Sequence, residues 1–260
     1  MLLVLSPAKA LDFTPPETLA PLSAPQMSKD VAELAKVTRK LTARELKGLM
    51  SLSDNLAALA HERFQAFDPK SPDGLQAAFA FNGDVYMGLQ ARTLDASALE
   101  WAQDHVRILS GLYGVLRPMD VIQPYRLEMG SRVRTRRGSS LYDFWGDRIA
   151  KVLNEAAAGH ADRTLVNVAS GEYFGAVDRR ALKLPVLTIR FLEEKDGEAR
   201  IVSFFAKRAR GLMARYAIDN RIDRVDGLKD FDLAGYSYQP SRSSGDEWTF
   251  ARRQPVPAAA

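Results

Sequence analysis

The chain begins MLLVLSPAK (residues 1–9), and this stretch decides the fold class. Residues 2–5 form a continuous apolar run ended by Ser6 and Pro7, which is typical of a strand buried on both faces of a sheet. A second stretch, LVNVASGEY (165–173), has the same organisation, since its apolar run gives way to a turn of small residues. Two such strands favour a sheet covered by helices.

Helical patterns lie between the strand signals. Ser28 can cap one helix, and Thr42 with Glu45 three residues later is the capping-box signature that begins the next. Two further helices are expected over residues 54–64 and 72–79.

A hairpin is expected in the second half of the chain, where apolar runs at 186–191 and 201–205 flank an Asp-Gly pair at 196–197. Strands that alternate with helices, together with one hairpin, predict a mixed α/β fold in which helices flank a central mixed sheet. We expect one α/β domain over residues 1–253, followed by a disordered Pro- and Ala-rich tail at 254–260.

Composition excludes several classes of protein. The 260 residues contain no cysteine, which excludes disulfides, thiolate chemistry and zinc-ribbon sites and fits a reducing compartment. The first apolar run lacks the features of a secretory signal, and no window approaches the ~18 consecutive apolar residues of a membrane-spanning helix. We therefore expect a cytoplasmic protein that does not enter a membrane.

The positive charge is concentrated rather than large. There are 36 Lys and Arg against 32 Asp and Glu, so the net charge is 36 − 32 = +4. One cluster contains Arg126, Arg132, Arg134, Arg136 and Arg137, and a second contains Lys207, Arg208 and Arg210. Such clusters attract phosphates and predict a basic cleft, whereas an ordinary solvated surface is the alternative.

The second basic cluster is expected to open a helix. Backbone N–H groups at a helix N-terminus favour anions, so cations there weaken the helix itself but suit a bound phosphate. Pairing of these cations with Glu193 or Glu194 is the alternative explanation.

The segment LKGLMSLSDNLAALAHERF (46–64) predicts two short helices joined around Ser51 and Ser53. It resembles a helix-hairpin-helix module, whose hairpin amides and helix N-terminus contact the DNA backbone without reading bases. The usual glycines of that module are serines here, and a plain αα-hairpin in the core is the alternative.

Polar residues follow the two buried strands at their carboxyl ends, where open α/β sheets bind ligands. If the strands are neighbours, Lys9, Asp12, Ser170 and Glu172 converge on one crevice and are the candidate catalytic residues of an enzyme. Lys9 would contact a phosphate or carboxylate, the Ser170 turn would form an anion nest, and Glu172 would accept a proton. Ordinary capping of loops by small polar residues is the alternative.

Metal and nucleotide-loop chemistries have no support in the sequence. The three histidines are scattered, and His61-Glu62 lacks the second histidine of an HExxH site, so no metal site is predicted. No Walker A loop, strand-linked GxGxxG or GxSxG motif is present, and no cofactor is predicted.

A family resemblance rests on seven blocks of sequence taken in order: SPAK (6–9), FNGDVY (81–86), LSGLYGVLRP (109–118), PYRLEMG (124–130), FWG (144–146), NVASGEY (167–173) and AKRARG (206–211). Together they resemble the bacterial YaaA family of peroxide stress proteins over nearly the whole chain. The resemblance implies a cytoplasmic α/β protein with a positively charged cleft and a helix-hairpin-helix-like element, which binds DNA and acts in the hydrogen peroxide response. It also implies that the protein limits unincorporated iron and thereby oxidative damage to DNA and protein.

Three functions remain open. The first is a DNA-binding stress protein whose basic clusters and hairpin contact phosphates without reading sequence, so that affinity falls steeply with salt. The second is an enzyme acting on a nucleotide, a nucleic-acid base or another phosphorylated molecule in the crevice of Lys9 and Ser170. The third is a structural or protein-partner module with basic loops, whose partners the sequence does not identify.

Overall fold

A computed structural model describes residues 1–17 and 21–255. Residues 256–260 of the expected disordered tail lie outside this described part. The strands are β1 (Leu2–Leu5), β2 (Ala10–Leu11), β3 (Leu75–Gln76), β4 (Phe81–Asn82), β5 (Val106–Ser110), β6 (Gly114–Leu116), β7 (Val121–Ile122), β8 (Leu165–Asn167), β9 (Val186–Lys195), β10 (Glu198–Arg200), β11 (Ser237–Tyr238) and β12 (Glu247–Arg253). The helices are α1 (Ser28–Thr38), α2 (Ala43–Met50), α3 (Asp54–Ala66), α4 (Ala77–Ala80), α5 (Asp84–Leu89), α6 (Ala96–His105), α7 (Leu141–Trp145), α8 (Arg148–Ala156), α9 (Gly171–Phe174) and α10 (Ser203–Asp219).

The largest sheet is mixed and has eight strands. Seven of them follow the order β11-β12-β9-β8-β1-β5-β6, and β10 pairs with β9. Strands β5, β1, β8, β9 and β12 form the parallel part, while β6, β10 and β11 each pair antiparallel with a neighbour. The predicted mixed α/β fold with a central mixed sheet is confirmed.

Strand β1 lies in the middle of the sheet, and every one of its residues is fully buried. Both of its edges are paired and both of its faces are covered, which explains why its sequence is continuously apolar rather than alternating. Burying each leucine or valine side chain stabilises the fold by about 1.5–3 kcal/mol. The first stretch of the chain therefore forms the centre of the core.

Most of the predicted helices are present. Helix α1 begins at Ser28, although no side chain caps it. Thr42 and Glu45 form the predicted capping box at α2, since each side chain accepts a hydrogen bond from the other residue's backbone N–H. Among the described residues, no helix combines the length and apolarity needed to cross a membrane.

The helix expected over residues 72–79 is wrong in its extent. Strand β3 occupies residues 75–76 and pairs with β7, and only the single turn of α4 follows it. The apolar run is buried in both elements, so burial alone could not distinguish a helix from a strand followed by a turn.

The hairpin turn at Asp196-Gly197 is confirmed, because both residues adopt the positive φ that such a turn requires. The strand expected over residues 201–205 is wrong, since the partner strand is β10 and helix α10 begins at Ser203. Ile201 and Phe204 are 53% and 51% exposed, so these two apolar residues of the expected strand face solvent.

This shift moves the second basic cluster along its helix. Lys207 to Arg210 lie in the second and third turns of α10, beyond the first four N–H groups that a helix leaves free. The expectation that these cations sit at a helix N-terminus is therefore wrong.

Helix α10 crosses α5 in direct backbone contact. A Cβ atom at Gly211 would lie 1.8 Å from the carbonyl oxygen of Val85, and one at Gly88 would lie 2.2 Å from the carbonyl oxygen of Arg208. Only glycine permits so close an approach. Because the Tyr86 hydroxyl on α5 donates a hydrogen bond to the carbonyl oxygen of Ser6 at 3.1 Å, this crossing links α10 to the end of β1.

Candidate nucleic-acid interface

The carboxyl ends of β1 and β8 meet, as predicted for neighbouring strands. Val4 and Asn167 are partners in the parallel register, so Ser6 and Ser170 leave the sheet side by side. The Ser170 N–H donates to the Ser6 hydroxyl oxygen at 2.8 Å, and the Ser6 hydroxyl donates to the Ser170 hydroxyl oxygen at 3.3 Å. The Ser170 hydroxyl oxygen also accepts from the Tyr173 N–H and so caps α9.

Two cations at the rim of this crevice share one carboxylate. Lys9 Nζ lies 2.8 Å from one oxygen of Glu128, and an Arg126 nitrogen lies 3.3 Å from the other. The Lys9 side chain is 61% exposed, whereas the Glu128 side chain is only 18% exposed. Glu128 therefore fixes both cations in place and cancels part of their charge.

Glu172 anchors a neighbouring loop. Its carboxylate accepts a hydrogen bond from the Gly130 N–H at 2.9 Å, and its carbonyl oxygen accepts one from the Tyr142 hydroxyl at 2.9 Å. We call residues 126–137, which include Gly130, the basic loop. Glu172 thus ties the basic loop to α9, a role that sequence reasoning did not foresee.

Asp12 is not brought into the crevice. Its carboxylate accepts the Thr14 N–H at 2.9 Å and lies 3.8 Å from Arg92, and it lines a different cavity together with Asn82. The hydrogen bond from the Thr14 backbone lowers the pKa of Asp12. Of the four candidate catalytic residues, Asp12 is the one that the fold directs elsewhere.

Three tyrosines lie close together beneath the crevice, and two of them, Tyr86 and Tyr125, were not predicted from the sequence as site residues. Burial raises the pKa of the Tyr86, Tyr125 and Tyr173 hydroxyls. Tyr125 raises the pKa of Tyr86 and Tyr173 further, whereas the hydrogen bond with Ser110 partly offsets the effect of burial on Tyr125 itself. All three hydroxyls therefore remain protonated at neutral pH, and that of Tyr86 donates a hydrogen bond to the Ser6 carbonyl oxygen. Their positions within the blocks FNGDVY, PYRLEMG and NVASGEY were the available signal.

The basic loop borders a cavity of about 750 Å³, lined by Gly130, Arg132, Arg134, Ser139, Ser140, Tyr142 and Asp143. Burial alternates along the loop, because Ser131 and Val133 point inward while Arg132 and Arg134 are exposed. Within the part of the chain that the structure describes, neither arginine forms an ion pair with an acid, and Arg136 is likewise exposed and unpaired. Gly130 and Tyr142 connect this cavity to Glu172, so the cavity and the crevice adjoin.

Arg137, at the end of the basic loop, is held by acids. Its guanidinium lies 2.6 Å from Asp30, pairs closely with Glu33 and stacks over the Phe144 ring at 4.5 Å. These hydrogen bonds outweigh burial and raise the pKa of Arg137. Arg137 therefore attaches the loop to α1 and is not available to a phosphate in this conformation.

The second basic cluster, on α10, likewise contains both exposed cations and a cation that is partly buried. Lys207 and Arg208 are exposed on α10 and, among the described residues, form no ion pair. Arg210 is partly buried, its Nε atom has no hydrogen-bond partner, and burial lowers its pKa. Two cations of α10 are thus free to meet an anion at the surface.

The segment around Ser51 forms a helical hairpin. Ser51 ends α2 with a φ of +52°, and Ser53 caps α3 by accepting the Leu56 N–H at 3.4 Å. An exposed ion pair of 2.7 Å joins Lys47 to Asp54 beside this turn. The predicted pair of helices is confirmed, while contact of the hairpin with DNA stays a prediction.

Two of the three histidines that are scattered in sequence lie together in the fold. The ring centroids of His105 and His160 are 4.4 Å apart, and Asp104 lies beside both rings. Burial lowers the pKa of both rings, so they are neutral at neutral pH. His61 contacts the Leu41 carbonyl oxygen instead.

The fold and the site together define a class: a mixed α/β protein with a basic cavity beside the carboxyl ends of its central parallel strands. The model of a family described as peroxide stress protein YaaA matches residues 1–242. The chain belongs to this peroxide stress protein family, and the resemblance seen in the sequence blocks is confirmed.

Several relatives match along their whole lengths. A UPF0246 protein of Phenylobacterium zucineum is 73% identical over 260 residues, which cover 100% of this chain and 98% of the relative. A UPF0246 protein of Caulobacter vibrioides is 66% identical over 98% of this chain and 100% of its own length. A UPF0246 protein of Maricaulis maris is 54% identical over 99% of this chain and 98% of the relative.

Proposed function

We propose that this member of the peroxide stress protein family is a cytoplasmic DNA-binding protein that contacts backbone phosphates without reading sequence. The observation that carries this proposal is the pair Arg132 and Arg134, which project from the basic loop into a cavity of about 750 Å³ without acidic partners. Exposed guanidinium groups bind phosphate oxygens with two parallel hydrogen bonds and suit this task.

The charge of the cavity remains positive after its one lining acid is counted. Asp143 accepts hydrogen bonds from the backbone and hydroxyl groups of Ser139 and Ser140, which lower its pKa. The carboxylate is thus engaged in the turn that precedes α7 and forms no ion pair with Arg132 or Arg134, so two guanidinium charges against one carboxylate leave the cavity positive. A phosphate backbone can therefore be held at this loop.

DNA binding is tested by measuring the affinity for a labelled duplex across a salt series. The variant Arg132→Gln/Arg134→Gln should reduce the slope of log affinity against log salt by about 2, since each lost phosphate contact removes about one unit. The matched control Lys195→Gln/Arg200→Gln loses the same charge from the exposed β9–β10 hairpin and should leave the slope unchanged. If both variants reduce the slope equally, DNA affinity depends on the net charge of the protein and not on the cavity of Arg132 and Arg134. Absence of wild-type binding would refute the proposal.

The hairpin is a second proposed phosphate contact, and Ser53 offers a clean probe of it. Ser53→Asp keeps a good helix cap but adds a negative charge, so DNA affinity should fall several-fold. Ser53→Asn keeps the cap without the charge and should bind like the wild type. If both variants bind DNA equally well, the hairpin does not touch the backbone.

We further propose that the peroxide-stress role includes lowering unincorporated iron, as the family resemblance implies. Ferrous iron converts hydrogen peroxide to hydroxyl radical, so less free iron means less damage to DNA. Chelatable iron should be higher in peroxide-treated cells without the protein than in cells with it. Equal chelatable iron in both strains would contradict the proposed lowering of iron. If the Arg132→Gln/Arg134→Gln protein still lowers iron, the lowering of iron does not depend on DNA binding.

A second candidate function is an enzyme acting on a nucleotide, base or other phosphorylated substrate at the crevice, which the hydrogen-bonded pair of Ser6 and Ser170 favours. The enclosed space beside Lys9 is only about 10 Å³, so a substrate would have to lie across the rim. Lys9→Ala should then abolish turnover of nucleotides while leaving DNA affinity largely intact. Parallel loss of both would favour simple binding.

A further inference from the structure

A second site of a different kind lies at the end of α6. Asp104 and His105 close this helix, and His160 follows α8 before the chain enters β8. The Asp104 carboxylate lies 3.6 Å from Nε2 of His105 and 3.5 Å from Nε2 of His160. One ligand atom from each of the three residues lies within 4.8 Å of the other two.

The hydrogen bond of His105 sets its tautomer. Its Nδ1 lies 2.9 Å from the Met1 carbonyl oxygen, and because a carbonyl only accepts, Nδ1 carries the proton. Nε2 of the neutral ring is then left with a free lone pair that faces the Asp104 carboxylate. A ring N–H donated to a backbone carbonyl, with the opposite nitrogen free, is the arrangement that metal-ligating histidines use.

His160 provides an independent observation. Its side chain is only 6% exposed, yet neither of its ring nitrogens has a hydrogen-bond partner among the described residues. A buried polar group without a partner destabilises a fold by about 1–3 kcal/mol. A bound ion that accepts a lone pair from one ring nitrogen would remove this cost. Since no hydrogen bond fixes the ring, it can turn toward such an ion.

We propose that Asp104, His105 and His160 bind a divalent transition-metal ion of the zinc class. Two imidazoles and one carboxylate are the ligand set such ions prefer, and a cation placed among the carboxylate and the two imidazole lone pairs is stabilised by all three. Ligands around a tetrahedral ion lie about 3.3 Å apart, so the ligand atoms, which lie within 4.8 Å of one another, need to approach by at most about 1.5 Å as the His160 ring turns. The Asp104 side chain is 69% exposed, which leaves the remaining coordination position open to water.

The surrounding charges are mixed. The Met1 amine and the Arg107 guanidinium are close enough to His160 to disfavour a positive charge there, while Asp162 and Asp223 lie near the amine. These cations limit affinity but do not occupy the ligand atoms, because the amine donates to the Asp223 carbonyl oxygen and Arg107 to three backbone carbonyls. We therefore expect micromolar rather than nanomolar binding.

Zinc titration by calorimetry tests the site, using protein without a polyhistidine tag and freed of metal with EDTA. The wild type and the matched control His61→Gln should each bind one Zn²⁺. His160→Gln and Asp104→Asn should bind at least about tenfold more weakly, since even partners one step removed from a metal are worth about 10–100-fold. Because Asp104 is exposed, its variant keeps the test valid should the buried His160 variant fail to fold.

Nitrogen NMR of the imidazole rings gives a second readout. Added Zn²⁺ should shift Nε2 of His105 and a ring nitrogen of His160 while leaving His61 unchanged. Absence of saturable wild-type binding, or equal affinity in the Asp104→Asn protein, would overturn the proposal.

Discussion

The two basic regions, the basic loop and the Lys207–Arg210 turn of α10, are supported in opposite ways. The basic loop has no regular structure of its own. Arg137 ties one end of it to Asp30 and Glu33 of α1, and Glu128 near the other end pairs with Lys9. The turn of α10 is held by the crossing of its backbone with that of α5. In the basic loop, ion pairs of some arginines hold the backbone in place while other arginines remain exposed. In α10, glycines allow the contact that holds the helix, so the charges of Lys207 and Arg208 are not needed to hold it.

This comparison shows that a cluster of cations in a sequence is not a measure of available charge. The acids that neutralise Arg137 lie 107 and 104 residues away along the chain, and no local pattern reveals them. Four predictions test the contrast, beginning with the largest expected effect.

Gly211→Ala should destabilise the protein by about 3 kcal/mol, because the new methyl group would overlap the Val85 carbonyl oxygen and no side chain can move aside. Urea unfolding measures the change. Gly48→Ala is the matched control, since that helical glycine has open space around it and should gain about 0.5–1 kcal/mol. Equal stability of both variants would mean that α10 does not need its close contact with α5.

Arg137→Gln should cost about 2 kcal/mol of unfolding free energy, because Asp30 and Glu33 lose their charged hydrogen bonds. Arg134→Gln, three residues earlier, should change stability by less than about 0.5 kcal/mol, since it breaks no ion pair. A thermal or urea unfolding comparison decides the matter. Should Arg134→Gln prove the more destabilising, the division of the loop into structural and available arginines would be mistaken.

Lys207→Gln/Arg208→Gln should weaken DNA binding about tenfold at moderate salt and reduce the salt slope by about 2, with stability unchanged. Combined with Arg132→Gln/Arg134→Gln, it should reduce the slope by about 4 if one DNA molecule contacts both regions. A combined slope no smaller than that of either double variant would show that only one region binds.

Arg210→Met should change stability by less than about 1 kcal/mol, because its Nε has no partner to lose and the methionine fills similar space. Urea unfolding again provides the measurement. A loss of several kcal/mol would show that the guanidinium has a structural partner and belongs with Arg137 rather than with Lys207.

The sequence was informative where the signal was local. The apolar runs of β1 and β8 predicted two buried strands, and the Thr42–Glu45 spacing predicted a helix start, because each is fixed by adjacent residues. That the two strands are neighbours was only a condition in the sequence analysis, and the fold fulfils it. The run at 201–205 misled because an exposed apolar stretch has the same letters as a buried one. The Arg137 ion pairs and the His105–His160 contact depend on residues far apart in the chain, so only the tertiary fold reveals them.

The central place of β1 has a consequence for how the protein is made. Leu3 pairs with Val106 on one side and Val166 on the other, so β1 waits for partners encoded 103 and 163 residues later. At about 5–20 residues per second, the second partner emerges roughly 8–30 s after β1. During that interval at least one edge of this apolar strand is unpaired on the ribosome, which favours binding of chaperones to the nascent chain and delays completion of the sheet until translation is well advanced.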